Sequence, residues 1–252
     1  MPNRFPFRGQ PLLIVDTAAR SGHDSRMPRL ARAVAPGLPR HVVQRGNRRQ
    51  DVFFCDEDRE AYLSFLRDAC ERFGVEVRGW CLMTNHVHVI AVPEGDASLG
   101  RAFSDAHVSY TRMVNFREGW RGHLWQGRFG SSPLDERRAV AALRYVERNP
   151  VRAGLRRVPW RYEWSSAAFH AGEADADPLV ASRDGWFAEL AAGWREFLTQ
   201  PDEEGFVARI RREAAAGRPV GAASFVAGLE RRLKRNLTRG RPGRPRKKRR
   251  GN

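Results

Sequence analysis

Cysteine is scarce in this 252-residue chain. Cys55, Cys70 and Cys81 form no C-x-x-C pair and their total is odd, which argues against a disulfide framework or zinc knuckle and agrees with a reducing cytoplasm. Long apolar runs are lacking too: no stretch approaches the ~20 residues that a membrane-spanning helix requires. The opening MPNRFPFRGQPLLIVD has neither the apolar stretch nor the small-residue cleavage site of a secretory signal, so no export is expected. Acidic residues are missing from the strongly basic C-terminal arm. From Arg231 to Asn252 there are 12 Lys and Arg and no Asp or Glu. Without that arm the formal net charge falls from +16 to +4. The body is mildly basic and the tail is a cationic arm drawn to polyanions, nucleic acid first, because neutralised phosphates release counterions. A membrane partner is not expected, since the arm has no apolar anchors.

What is present is enough for one core. Hydrophobic residues make up 41% of the chain and aromatic residues 10%, which suits one main domain with appendages. Residues 1–26, rich in Gly, Pro, Arg and Ser without a period, are expected to be a disordered extension, with Met27 an alternative start. RHVVQRGNRR then predicts a strand running into a basic Gly-Asn turn. A helix follows from Asp56 to Gly74, with Tyr62, Phe65, Leu66 and Ala69 at helical spacing. VEVRGWCLM and HVHVIAVP predict a hairpin joined by Thr84-Asn85. Residues 97–118 predict a second long helix, GHLWQGRFGSSPL a short strand region, and DERRAVAALRYVERN a third helix capped by Asp135 and ended at Asn149 by Pro150.

This order predicts an α+β fold: a ferredoxin-like antiparallel sheet with helices on one face. Residues 171–185, acidic and rich in Gly and Pro, are expected to be a linker. Residues 186–238 predict a helical extension of three helices, read either as a helix-turn-helix-like DNA-binding unit or as a cap on the sheet domain. Residues 239–252 close the chain with two G-R-P units around Arg241 and Arg244, followed by Arg246. They resemble an AT-hook, in which an Arg-Pro core lies in a narrow minor groove; the alternative is a nonspecific polybasic arm.

The candidate chemistry begins at T-N-H-V-H-V-I, residues 84–90. On a strand, residues two apart share a face, so His86 and His88 present two imidazoles together while Val87 and Val89 face the other way. An H-x-H alone is more often the polar face of a strand than a metal site. Tyr145 and Asn149, four apart, share one face of the third helix. Asn149 offers a carboxamide oxygen, a hard ligand suited to Mg²⁺ or Mn²⁺. The plainer alternatives are a core tyrosine and an asparagine that stops a helix. Tyr110 is the rival tyrosine, although its spacing fits an apolar helical row, and His107 reads as a helix-surface residue. Arg128 and Arg148 are candidate phosphate contacts, as are Arg45, Arg48 and Arg49 around the Gly-Asn turn. Trp125 is either a base-stacking residue or core.

Five blocks carry a family resemblance: G-N-R-R-Q-D-V-F-F (46–54), G-W-C-L-M-T-N-H-V-H-V-I (79–90), L-W-Q-G-R-F (124–129), R-Y-V-E-R-N-P-V-R-A-G (144–154) and Y-E-W-S-S (162–166). Their order is similar to that of single-tyrosine HUH transposases of the insertion-sequence type, most closely the REP-associated tyrosine transposases. The resemblance implies an HUH nuclease domain over residues 27–170, with His86 and His88 as the metal-binding pair, Asn149 completing the site and Tyr145 as nucleophile. It implies a divalent cofactor, Mg²⁺ or Mn²⁺. The implied partner is single-stranded or hairpin DNA, including repetitive palindromic elements, cut through a 5′-phosphotyrosine intermediate by a monomer or homodimer at the nucleoid. A protein that binds hairpins without cutting is the alternative. A free phenol, with pKa ~10, is a poor nucleophile at neutral pH, and the sequence identifies no base to assist it.

Overall fold

The computed structural model describes residues 34–183 and 185–238; the expected extension at 1–26 and the tail with Arg241, Arg244 and Arg246 lie outside them. Strands β1 (Arg40–Arg45), β2 (Val75–Met83), β3 (His86–Pro93) and β4 (Gly130–Pro133) form one sheet in the order β2-β3-β1-β4. All neighbouring pairs are antiparallel. Helix α1 (Asp56–Phe73) connects β1 to β2, and α2 (Ser98–Glu118) connects β3 to β4. This βαββαβ succession and strand order are the ferredoxin-like arrangement.

Alternation along β3 divides the molecule into two cores. Val87, Val89 and Ala91 join Val42, Trp80 and Leu82 under α1 and α2, against Tyr62, Leu66, Phe103 and Tyr110. The intervening positions face the other way, where Cys81 and Ile90 pack on Ala142, Leu143 and Val146 of α3 (Glu136–Glu147). The single helical face expected from the sequence holds for α1 and α2 only, because both sides of the sheet are apolar enough to need covering.

Local chemistry explains most boundaries. Asp56, Glu57 and Asp58 oppose the dipole at the start of α1, and Gly74 ends it in the left-handed region at φ 64°. Cys55 occupies the cap position, without a side-chain capping bond. At the start of α3, Asp135 caps as expected, accepting from Arg138 N at 2.8 Å. Its end differs from expectation. The chain pauses at Arg148 and resumes as the one-turn helix α4 (Asn149–Arg152), with Pro150 in the first turn, where its missing N–H costs nothing. The short helix α5 (Ala167–His170) follows.

The C-terminal helices are α6 (Ala188–Thr199), α7 (Glu204–Ala216) and α8 (Ala223–Leu233). Phe187, Trp194, Leu198, Phe206, Ile210 and Val220 share the α3 core, and α7 runs along β4. The segment before them is tied to the sheet: Asp177 accepts from Trp80 Nε1 at 2.9 Å. None of the described helices is long and apolar enough to cross a membrane.

Candidate active site between the sheet and helix α3

β1 and β3 place three histidines under α3. Register pairs Arg45 with His86 and Val43 with His88, and His41 lies two residues further along the same face, opposite Ile90. His41 Nε2 and His88 Nδ1 are 2.8 Å apart, with stacked rings. His86 and His88 rings are edge to face, with centroids 5.0 Å apart. His86 Nδ1 lies 2.6 Å from Asn85 Oδ1, and Asn85 Nδ2 donates to Arg49 O at 3.1 Å. The Gly-Asn turn thereby fixes the histidine. Gly46 is needed in that turn, because a Cβ there would sit 2.2 Å from the Gln50 carbonyl oxygen.

α3 brings Tyr145 onto this cluster. Its ring meets His88 edge to face with centroids 5.5 Å apart, and His41 at 5.7 Å. The Arg152 guanidinium carbon lies 4.4 Å from the Tyr145 ring centroid, and Arg152 Nη2 donates to Tyr145 O at 2.8 Å. Arg211, from α7, donates its Nε–H to the Tyr145 hydroxyl at 3.1 Å. Tyr145 is only 2% exposed, whereas Arg211 is exposed.

The environment keeps the imidazoles neutral. Burial pushes His41 down to about 3. Burial, then the charges of Arg45 and Arg211, push His86 to about 3 as well. His88 is held well below the usual range by burial and its neighbouring histidines and arginines. A neutral imidazole is the ligating form. Because Asn85 and His41 occupy the Nδ1 atoms of His86 and His88, the Nε2 atoms are the ones left to ligate. A partner on one ring nitrogen that fixes the ligating tautomer of the other is the usual support of a metal histidine.

Asn149 is buried, and its Nδ2 donates to Tyr145 O and Val146 O at 3.2 and 3.1 Å. The side-chain oxygen is the atom Asn149 could offer to an ion. Among the described residues no group of three or more His, Cys, Asp or Glu could hold a metal ion. The candidate donors for a divalent ion are two imidazoles and one carboxamide, ligand types that such ions accept.

The other candidates separate clearly. Tyr110 is fully buried and donates to Val52 O at 2.5 Å; it belongs to the first core. His107 pairs with the Tyr62 hydroxyl at 3.1 Å and packs on Trp125, itself buried. Arg148 turns away from the histidines, pairing with Asp202 at 3.1 Å and with the Leu198 carbonyl. Arg48 and Arg49 are exposed, with φ of 53° and 64°, a conformation uncommon for non-glycine residues and typical of functional turns. Arg128 lines a cleft of about 710 Å³ beside α2, together with Asn47, Arg112, Asn115 and His123. That cleft shares no lining residue with the histidine cluster.

His41, Asn85, Arg152 and Arg211 contact the candidate residues, and motif reading did not select them. His41 carried a signal, since its position in RHVVQR gives it the same strand parity as Val43 and Arg45; its pairing with His88 required the register.

A ferredoxin-like sheet here presents an H-x-H pair to a helical tyrosine, the arrangement that the sequence resemblance led one to expect. Residues 36–149 match the model of the family described as Transposase IS200 like. The matched segment contains His86, His88, Tyr145 and Asn149. The fold is similar to a solved REP-associated tyrosine transposase bound to a REP hairpin, with TM-score 0.51 and 17% identity over 62% of this chain and 92% of that chain. A Deinococcus radiodurans structure assigned as a transposase shows TM-score 0.34 and 19% identity over 46% of this chain and 94% of that one. No curated protein matches the chain.

Proposed function

We propose that the chain is a metal-dependent DNA endonuclease and strand transferase that cuts single-stranded or hairpin DNA through Tyr145. The observation that carries this reading is the Tyr145 ring seated edge-on against His88, 5.5 Å between centroids, with the Nε2 atoms of both motif histidines left for an ion. His86, His88 and the Asn149 oxygen would hold Mg²⁺ or Mn²⁺, which when bound polarises a phosphate and offsets its developing charge.

The protein's own residues do the rest. Burial keeps His86 and His88 neutral, His41 and Asn85 orient them, and α3 aims the phenol at their edge. Tyr145 Oη loses its proton and attacks phosphorus in line. The new Oη–P bond forms as the P–O3′ bond breaks, and the departing O3′ takes up a proton. The products are a 5′-phosphotyrosine and a free 3′-OH. Attack of another 3′-OH on the same phosphorus reverses the step and rejoins DNA without ATP. Exposed Arg48, Arg49 and Arg128 supply phosphate contacts, and the cationic tail adds salt-dependent affinity. REP-like palindromic hairpins are the substrate class this reading favours, in a cytoplasmic, nucleoid-associated setting, with the protein acting as monomer or homodimer.

The test is incubation of end-labelled hairpin oligonucleotides with the full chain and Mg²⁺ or Mn²⁺. Cleavage by wild type and none by Tyr145→Phe is expected. Binding without cleavage by both would instead establish a non-cutting hairpin-binding protein.

A further inference from the structure

The unmet need in this site is charge at the nucleophile. Tyr145 Oη must carry negative charge as its proton leaves, yet the ring is buried among imidazoles, which are neutral, and no carboxylate is bonded to the hydroxyl among the described residues. The group that touches Oη comes from outside the matched segment. Arg211, on α7, donates Nε–H to Oη at 3.1 Å, and its guanidinium carbon lies 5.9 Å from the ring centroid.

Building on the Tyr145 reading, we infer that Arg211 is a catalytic residue. Its Nε stabilises the phenolate oxygen and its two Nη groups receive the scissile phosphate. A guanidinium has five donors in a planar fork, which matches phosphate oxygens in pairs. Nε is used on Oη. Nη1 and Nη2 have no protein hydrogen bond among the described residues, and the residue is exposed, so the fork opens to the side from which a strand arrives. One side chain would therefore contact the nucleophilic oxygen and the oxygens of the phosphate it attacks. The same contact lies against a hydroxyl whose residue is 2% exposed.

The packing of α7 explains how an arginine so far along the chain is held there. Phe206, Ile210 and Ala214 are buried on one side of α7, and Phe206 and Ile210 lie in the same core as Tyr145. A Cβ on Gly130 of β4 would come within 2.8 Å of Ala214 O, so glycine lets the helix approach the sheet closely. Arg211 directly follows Ile210 and emerges at the rim of this contact. In this account the C-terminal helices complete the active site.

The experiment compares wild type, Arg211→Gln and Arg211→Lys as full chains with Mn²⁺ and a labelled hairpin, reading the rate of covalent adduct formation at saturating DNA. It also reads hairpin affinity without metal and thermal unfolding. Arg211→Gln is expected to slow adduct formation on the order of 100-fold, the scale of losing one oxyanion donor, with binding and unfolding nearly unchanged. Arg211→Lys keeps the charge and is expected to restore a substantial part of the rate. If wild type forms the Tyr145 adduct and Arg211→Gln forms it equally fast, Arg211 is not catalytic while the Tyr145 reading survives. A rate loss in proportion to lost binding or lost thermal stability would assign Arg211 a structural role and overturn the inference. Absence of adduct from wild type would remove the Tyr145 reading and this inference together.

Discussion

His41 Nε2 lies 2.8 Å from His88 Nδ1, and the two rings stack with their planes 13° apart. If His88 ligates through Nε2, its Nδ1 carries the hydrogen and donates to His41. His41→Ala removes that acceptor and is expected to weaken divalent metal binding about 10- to 100-fold, the usual cost of losing such a partner. His41→Gln, whose amide oxygen can accept the same hydrogen, is expected to recover part of it. Titration of metal-free protein with Mn²⁺ measures both, and equal affinities for wild type and His41→Ala would refute the orientation role.

The buried imidazoles also set an acid limit. His41 and His86 are each pushed down to about 3, below the ordinary histidine value. Between that ordinary value, ~6.5, and the folded one, the unfolded chain binds more protons than the folded chain. The stability they contribute is therefore complete above ~6.5 and is lost progressively as pH falls toward about 3. Urea unfolding in metal-free buffer is expected to show falling stability from about pH 7 to about pH 5, and less of a fall in His41→Gln.

Gly79 controls how closely α3 approaches β2. A Cβ at this position would meet Leu143 Cδ1 at 2.1 Å and Ser166 Oγ at 3.2 Å. Gly79→Ala is expected to cost about 1–3 kcal/mol by overpacking and to slow cleavage more than it weakens hairpin binding, because the displaced helix carries Tyr145. Chemical denaturation and single-turnover cleavage together check this.

Asp202 gathers three arginines between α3, α4 and the turn after α6. Its oxygens lie 2.6 Å from Arg152 Nη1, 3.1 Å from Arg148 Nε and 3.5 Å from Arg144 Nη1. Asp202→Ala leaves these cations facing one another without their acceptor, at an expected cost of about 1–3 kcal/mol. Arg152, which lies over the Tyr145 ring, loses its carboxylate partner and keeps its bond to Tyr145 O. Hydrogen exchange is expected to show faster opening of α6 and α7 in this variant, and unchanged protection there would contradict the clamp.

The sequence made the strand parity of His86 and His88 legible, because alternation in a hairpin follows from the residues themselves. The βαββαβ order was legible too, through turn and cap residues such as Gly74 and Asp135, and R-Y-V-E-R-N marked Tyr145 as a candidate, which the fold packs against His88. Arg211 was not legible, since its contact with Tyr145 depends on the docking of α7 against β4 and no local period encodes it. His41 was missed for the same reason: its partner is set by the register of β1 on β3. Pro150 misled at the end of α3, because proline stops one helix and starts another with equal ease, and only the packing of α4 decides.

The most direct test of the account is where the DNA becomes attached. A labelled hairpin incubated with the full chain and Mn²⁺, followed by proteolysis and mass spectrometry, is predicted to yield one modified peptide carrying a 5′-phosphate on Tyr145, absent from Tyr145→Phe. A covalent adduct mapped to Tyr110 or another residue, or cleavage that persists unchanged in Tyr145→Phe, would contradict it.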